Sequence, residues 1–386
     1  MTAVSTAARF PTRRLHVRLP GLVAYLLLIA CGTIPRKQTR QSGVILMAPL
    51  VFETGTTDAP VQIWDPYSAF DNAVRADCNA AVGNYSRIGD QDSDADLRDR
   101  ARYNLANCLM QLGQPDQAID LFYKILDSSG TDVIRRNSYT RLGNLLEAAK
   151  QWEPLEQLLA RFEKEYRLNN WEKAEILVRK AATRLARNDR RQAFHWLKRA
   201  LKRFPSPDLA MDDTLPKPIP ERVRYYKAWA HIYFARLLRW NYAEVRLAYP
   251  DRVLRRRLDQ KAELLLRVQT NYLVAVKQRI GEPMVTAIHE LGQLYLDFYH
   301  TLHAVAIPSD LEDDAESERL YRDLLDEETH MLLSKTADLL QRAIAVAEVA
   351  QVSGASVEAA RHDLKMVEEI ARQIAFRKRD NEGGSN

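Results

Sequence analysis

The chain lacks most of what marks an enzyme or a metalloprotein. It has three cysteines in 386 residues. None form a CxxC pair, and no His/Cys spacing of the zinc type occurs, which sets aside a dithiol redox centre and a zinc finger. GxSxG, HExxH, P-loop and GxGxxG patterns are absent, and with them the nucleophile elbow, the zincin helix and the two common phosphate cradles. Glycine is scarce, at 14 residues, and no segment past the N-terminal region alternates cleanly at period two, so a sandwich or barrel of short strands is excluded. The longest apolar run, Gly21–Ala30, is far below the roughly 20 residues that span a bilayer. Excess charge of one sign is also missing. The chain has 56 Lys and Arg against 51 Asp and Glu, but residues 1–30 hold Arg9, Arg13, Arg14 and Arg18 and no acid, leaving 52 against 51. No nucleic-acid partner is expected, because bulk charge supplies no basic surface on the folded part.

The N-terminus carries a clear pattern. A basic stretch, "RFPTRRLHVRLP", precedes the short apolar run "GLVAYLLLIA" and a cysteine. A positive segment, a short apolar segment and small residues form a secretory signal peptide, assigned to residues 1–30. Leu28-Ile29-Ala30-Cys31 resembles a lipobox, the cleavage and acylation signal of bacterial lipoproteins. The resemblance implies that Cys31 becomes the mature N-terminus and carries lipid. With Gly32 rather than Asp following, it also implies sorting to the outer membrane, periplasmic face. Several acyl chains on one residue anchor stably where one would not. Residues 31–66 mix Thr, Gly and Pro without a helical period and read as a tether. Cys78 and Cys108 remain. In an oxidising compartment they are a possible disulfide across neighbouring helices; as thiols they would be two small buried apolar groups.

Beyond about residue 66 the strong helix formers Ala, Leu, Arg, Glu and Gln dominate, and they recur with a period. In "ARYNLANCLMQLGQPDQAIDLFYKILDSSG", residues 101–130, Leu105-Ala106 is followed by Leu109, Gly113, Ala118, Phe122 and Ile125. The next unit places Leu142-Gly143, Leu146, Leu155, Leu159 and Phe162 in register, with Lys150 in place of the turn glycine. A third, residues 171–205, keeps Ala181, Ala193, Leu197 and Ala200. A helical hairpin cannot bury its apolar face alone, so such units stack, with small residues such as Ala106, Gly143 and Ala118 read as the points where helix axes approach closely. The pattern resembles the tetratricopeptide repeat, at a period slightly longer than usual. The fold expected is all-α: a tetratricopeptide-like helical-hairpin solenoid over 67–205, a Pro-rich linker over 206–222, a divergent helical half over 223–378, and a disordered tail over 379–386. In the second half, the reading places a helix at about 252–280, a break at Gly281-Glu282-Pro283, a first helix with Leu291-Gly292 and Tyr295 whose partner does not follow on schedule, and, after an acidic loop, helices at about 315–349 and 356–378.

The whole resembles a tetratricopeptide-repeat outer-membrane lipoprotein, of the kind found in β-barrel assembly machinery. The segment "HAVAIPSDLEDDAESERLYRDLL" is similar in character to lipoproteins of myxobacterial gliding-motility and envelope complexes. Such a protein is a non-catalytic scaffold that binds other envelope proteins or peptides, needs no cofactor, and meets the membrane through lipid on Cys31. By the same resemblance, first-helix side chains line a partner-binding groove: Asn104, Asn107, Gln111, Arg141, Asn144 and Glu147. The alternative function is a peptidoglycan-binding protein or a regulator of a cell-wall enzyme. His289, His300 and His303 share one predicted helix but are read as packing residues, with no metal expected. The basic run "RVLRRRLDQK" and the acidic run "DLEDDAESE" are read as solvated surface, and the aromatics from Tyr225 to Tyr242 as core.

Overall fold

The computed structural model describes residues 78–91, 93–204, 220–308, 311 and 314–383. The signal peptide, Cys31, the tether and most of the Pro-rich linker lie outside the described residues. All twelve elements among the described residues are α-helices: α1 (Cys78–Gln91), α2 (Ala95–Gln111), α3 (Pro115–Leu126), α4 (Asp132–Ala148), α5 (Trp152–Glu165), α6 (Asn170–Ala186), α7 (Arg190–Leu201), α8 (Glu221–Glu244), α9 (Asp251–Val276), α10 (Gly281–His303), α11 (Ala315–Val349) and α12 (Ala355–Gly383). Consecutive helices pack as hairpins along the chain. The even-numbered helices also neighbour one another, α2 with α4, α6 with α8, α8 with α10 and α10 with α12. They form one layer of a solenoid, and each odd-numbered helix from α3 onward packs against the even-numbered helices before and after it.

The second helix of each early hairpin shows why the sequence stacks. Ala118, Leu155 and Ala193 are fully buried at matching places in α3, α5 and α7. One turn later come Phe122, Leu159 and Leu197, all buried, and then Ile125, Phe162 and Ala200. Spacings of three and four keep these side chains on one stripe. Chain starts are fixed locally as well. Pro115 sits in the first turn of α3, where its missing N–H costs nothing. Asn169 caps α6 by accepting from the Trp171 and Glu172 amides, and Glu172 accepts the Asn169 amide in return.

The repeat is also written in the backbone. Gly113, Lys150 and Asn188 all have positive φ, near 73°, 56° and 58°, at intervals of 37 and 38 residues. Each follows a first helix and is closed by the same bond: the next residue's amide donates to a carbonyl five back. Gln114 bonds Leu109, Gln151 bonds Leu146 and Asp189 bonds Arg184, each at 2.8 Å. This is a Schellman turn, which ties off carbonyls the helix end leaves open. Arg279 and Gln351 are also left-handed, but they lie between α9 and α10 and between α11 and α12, after the second helix of a pair and not after the first.

Three boundaries differ from expectation, and the delay of one partner helix is explained. Gly281-Glu282-Pro283 does not break a helix; it opens α10, and a proline in the first turn forfeits no internal bond. The partner of α10 comes late, as expected: α11 is a 35-residue helix packed along it, with Leu339 and Leu340 against Gly292. It is delayed only by the acidic connection. The C-terminal helix runs to Gly383, past position 379, where fraying was expected. The linker also ends early, since Glu221 and Arg222 already belong to α8. The two halves share their packing. Trp229 and Phe234 of α8 lie against both the α6–α8 cluster and the large α8–α12 cluster.

A lysine in the left-handed region carries a steric cost that glycine escapes, so Lys150→Gly is expected to stabilise the fold by about 1 kcal/mol and Gly113→Ala to destabilise it by a similar amount. Opposite shifts of the urea midpoint for the two variants would check this.

Candidate functional site

The six groove candidates divide by helix. On α2, Asn104 is half-buried, Gln111 is exposed, and Asn107 is only 3% exposed. On α4, Arg141 and Glu147 are half-buried and Asn144 is 3% exposed. Asn107 and Asn144 therefore cannot offer themselves to a partner as expected of a groove lining. The reason differs for each helix. Asn107 is covered within the packed first hairpins. Asn144 and Glu147 are taken up by a charge the sequence reading missed, Arg179.

Arg179 of α6 is a long cationic side chain that is 1% exposed. Its guanidinium spends its donors in a fork. Nε donates to Glu175 at 3.2 Å, Nη1 to Glu147 at 3.1 Å, and Nη2 to the Asn144 carbonyl oxygen and the Tyr226 hydroxyl. The guanidinium carbon also lies 5.1 Å from the centre of the Tyr226 ring. From α8, Arg222 donates to the other oxygen of Glu175 at 2.7 Å and to Thr140 of α4 at 3.1 Å. Two arginines thus meet two glutamates across α4, α6 and α8. Space for this comes from Gly143. A Cβ there would stand 2.9 Å from Arg179 Nη1, closer than real side chains approach. The sequence reading took Gly143 as the small residue where two helices touch; it is the notch that admits a guanidinium.

The electrostatics follow from burial. Burial raises the pKa of Glu147, and the like charge of Glu175 adds to that, against the pull of Arg179. Burial also pushes Glu175 up, but Arg222 and then Arg179 outweigh it and hold the carboxyl below its usual range. Burial lifts the Tyr226 phenol well above its ordinary value. All four groups are occupied in joining helices, and the arrangement is a structural clamp.

The remaining candidates are placed as follows. Cys78 and Cys108 are joined as a disulfide between α1 and α2, with Cα atoms 5.1 Å apart, within the usual span. The three histidines of α10 have separate surroundings. His289 Nε2 lies 2.9 Å from Asp363 of α12, His300 is exposed at the helix end, and His303 bonds Thr329 at 2.9 Å. Among the described residues no group of three or more His, Cys, Asp or Glu side chains is placed to hold a metal ion. Tyr225, Tyr226 and Tyr242 are buried, and Trp229, Tyr233, Phe234 and Trp240 are half-buried. Arg252, Arg255 and Arg256 of the basic run are exposed, and its last residue, Lys261, is buried. No helix among the described residues is long and apolar enough to cross a membrane.

Compared with known proteins, the chain matches no family model and no curated protein at a significant level.

His303 gives a pH dependence with a definite sign. Burial first, and the charges of Arg377, His300 and Arg322 after it, lower its pKa to about 4. Asp326, at 3.8 Å, does not offset this, because Arg377 binds it at 3.0 Å. The folded state holds this histidine neutral. Its contribution is complete above the unfolded value near 6.5 and is lost as pH falls from there toward about 4. Partial exposure reduces the full linkage to about 1–3 kcal/mol. Chemical denaturation at pH 7.5 and 4.5 should show that loss, and His303→Gln should shrink it. At the clamp, Gly143→Ala should cost about 2–4 kcal/mol by displacing Arg179, and Arg179→Met about 3–5 kcal/mol by leaving buried carboxylates unpaired. Urea midpoints close to the parent's would refute the clamp.

Proposed function

We propose that the chain is a non-catalytic protein–protein interaction scaffold, lipid-anchored through Cys31 at the periplasmic face of the outer membrane, and part of an envelope assembly, motility or secretion complex. The observation that carries the reading is the recurrence of one hairpin. The same left-handed turn and the same 2.8 Å bond return after 37 and 38 residues, so equivalent surface positions are presented again and again along an extended layer. Repeat layers of this kind recognise a partner over length, in contrast to the enclosed pocket expected of small-molecule chemistry. The tetratricopeptide resemblance supports the same reading, and the disulfide agrees with an oxidising compartment.

The docking residues are narrowed by burial. Asn104, Gln111 and Arg141 keep exposed or half-exposed surface and are the positions assigned to a partner. Asn107, Asn144 and Glu147 are withdrawn from that role, because the fold itself uses or covers them.

The test is a cross-linked pull-down of the lipidated chain from solubilised envelopes, read by mass spectrometry beside an Asn104→Ala, Gln111→Ala, Arg141→Ala variant. A defined set of envelope proteins that thins at least several-fold in the variant is expected. Partners that persist unchanged would move docking off this surface, and an empty capture would count against a scaffold. Release of muropeptides from purified sacculi above background would overturn the non-catalytic reading and favour action on the cell wall. Separately, metabolic labelling with a fatty-acid analogue should mark the parent and not Cys31→Ser; equal labelling of both would remove the anchor.

A further inference from the structure

The C-terminal half holds a cleft of about 610 Å³, lined by side chains of α8, α9 and α10, including Trp240, Tyr242, Lys261 and Thr301. That is within the range of small-molecule sites. Most of its charges are balanced by the fold. Arg236 is held by Glu290, with contacts at 2.5, 3.0 and 3.1 Å. Arg239 is held by Asp297 at 2.5 Å. Two groups are not balanced. Lys261 is 2% exposed and its ammonium donates to the Tyr242 and Val245 carbonyls at 2.9 and 3.1 Å. Those bonds use two of its three N–H donors, and no carboxylate among the described residues forms an ion pair with it. Tyr242 is also 2% exposed, and its hydroxyl, close to Thr301, makes no hydrogen bond of normal geometry. The Lys261 nitrogen stands 3.8 Å from the centre of the Tyr242 ring, so both groups belong to one corner of the cleft.

An ammonium buried with only the more distant charge of Asp297 and the face of the Tyr242 ring to meet it, and a buried hydroxyl without an acceptor, are each costly. One acceptor carrying negative charge would satisfy both. The surrounding set of three cations and two carboxylates leaves one positive charge over. We infer that the cleft binds a small ligand through an oxyanion, carboxylate or phosphate, held by Lys261 and the Tyr242 hydroxyl with Trp240 along its side. Burial lowers the Lys261 pKa to about 8, which leaves the amine mostly protonated at neutral pH and able to serve. The inference is independent of the docking reading, since it uses none of the repeat surface.

Calorimetric titration of the full chain with inorganic phosphate and, separately, with succinate tests it, with tryptophan fluorescence as a second readout because Trp240 lines the cleft. Saturable binding of either probe is expected, and which one binds assigns the chemistry. Tyr242→Phe should weaken binding by about tenfold or more, the loss of one bond to a charged group, while unfolding no earlier than the parent. Lys261→Met should abolish binding. Should that variant fail to fold, because Lys261 also ties off the end of α8, Tyr242→Phe decides the question alone. Failure of both probes to saturate, or tight binding retained in Tyr242→Phe, would overturn the inference.

Discussion

Arg179 brings a full positive charge into the seam where α4, α6 and α8 meet, and the seam is shaped around it. A buried guanidinium is tolerable only when its donors are used and its charge is met. Glu147 and Asn144 from α4, Glu175 from its own helix and Tyr226 from α8 supply that. The apolar stripes hold each hairpin together, but stripes slide. A fork of directed bonds fixes which residue of one unit faces which residue of the next, and polar groups in a packed interior are well suited to setting register. The clamp also lies where the regular repeats give way to longer helices, so it joins the shared packing of Trp229 and Phe234 in setting the second half on the first.

Much of the fold was legible because burial leaves a period. Ala118, Phe122 and Ile125 repeat as Leu155, Leu159 and Phe162 and again as Ala193, Leu197 and Ala200, and all are buried in the structure. Helix formers at high density, few glycines and no alternating segment left all-α as the consistent class. The later hairpins were harder to read because, among the described residues, α8 and α10 end without the left-handed turn of the early repeats; the left-handed Arg279 and Gln351 follow α9 and α11 instead. The α10–α11 pair was hidden by an acidic connection that postponed the partner helix.

The candidate site was legible only in part, for a physical reason. On paper a polar residue on a first helix is the same whether it faces water or a buried arginine. Asn144 and Glu147 looked like groove lining because Arg179, 32 and 35 residues away in sequence, reads as one more charge on an amphipathic helix. The one available sign was Gly143, and it was assigned to close helix contact. Lys261 concealed itself similarly. It ends a run of basic residues of which Arg252, Arg255 and Arg256 are exposed, and only the pitch of α9 turns it inward.

The bond between Cys78 and Cys108 has a mechanical consequence. Tension applied to the chain on the N-terminal side of residue 78 enters the fold at that cysteine and crosses directly through sulfur into α2. The closed loop of α1 and most of α2 is bypassed and experiences almost none of the pull. The first hairpin therefore cannot be peeled away residue by residue from its end. It must be loosened from position 108 onward, where the chain is already packed between neighbours, so a tether attached upstream would drag the body of the solenoid as a unit.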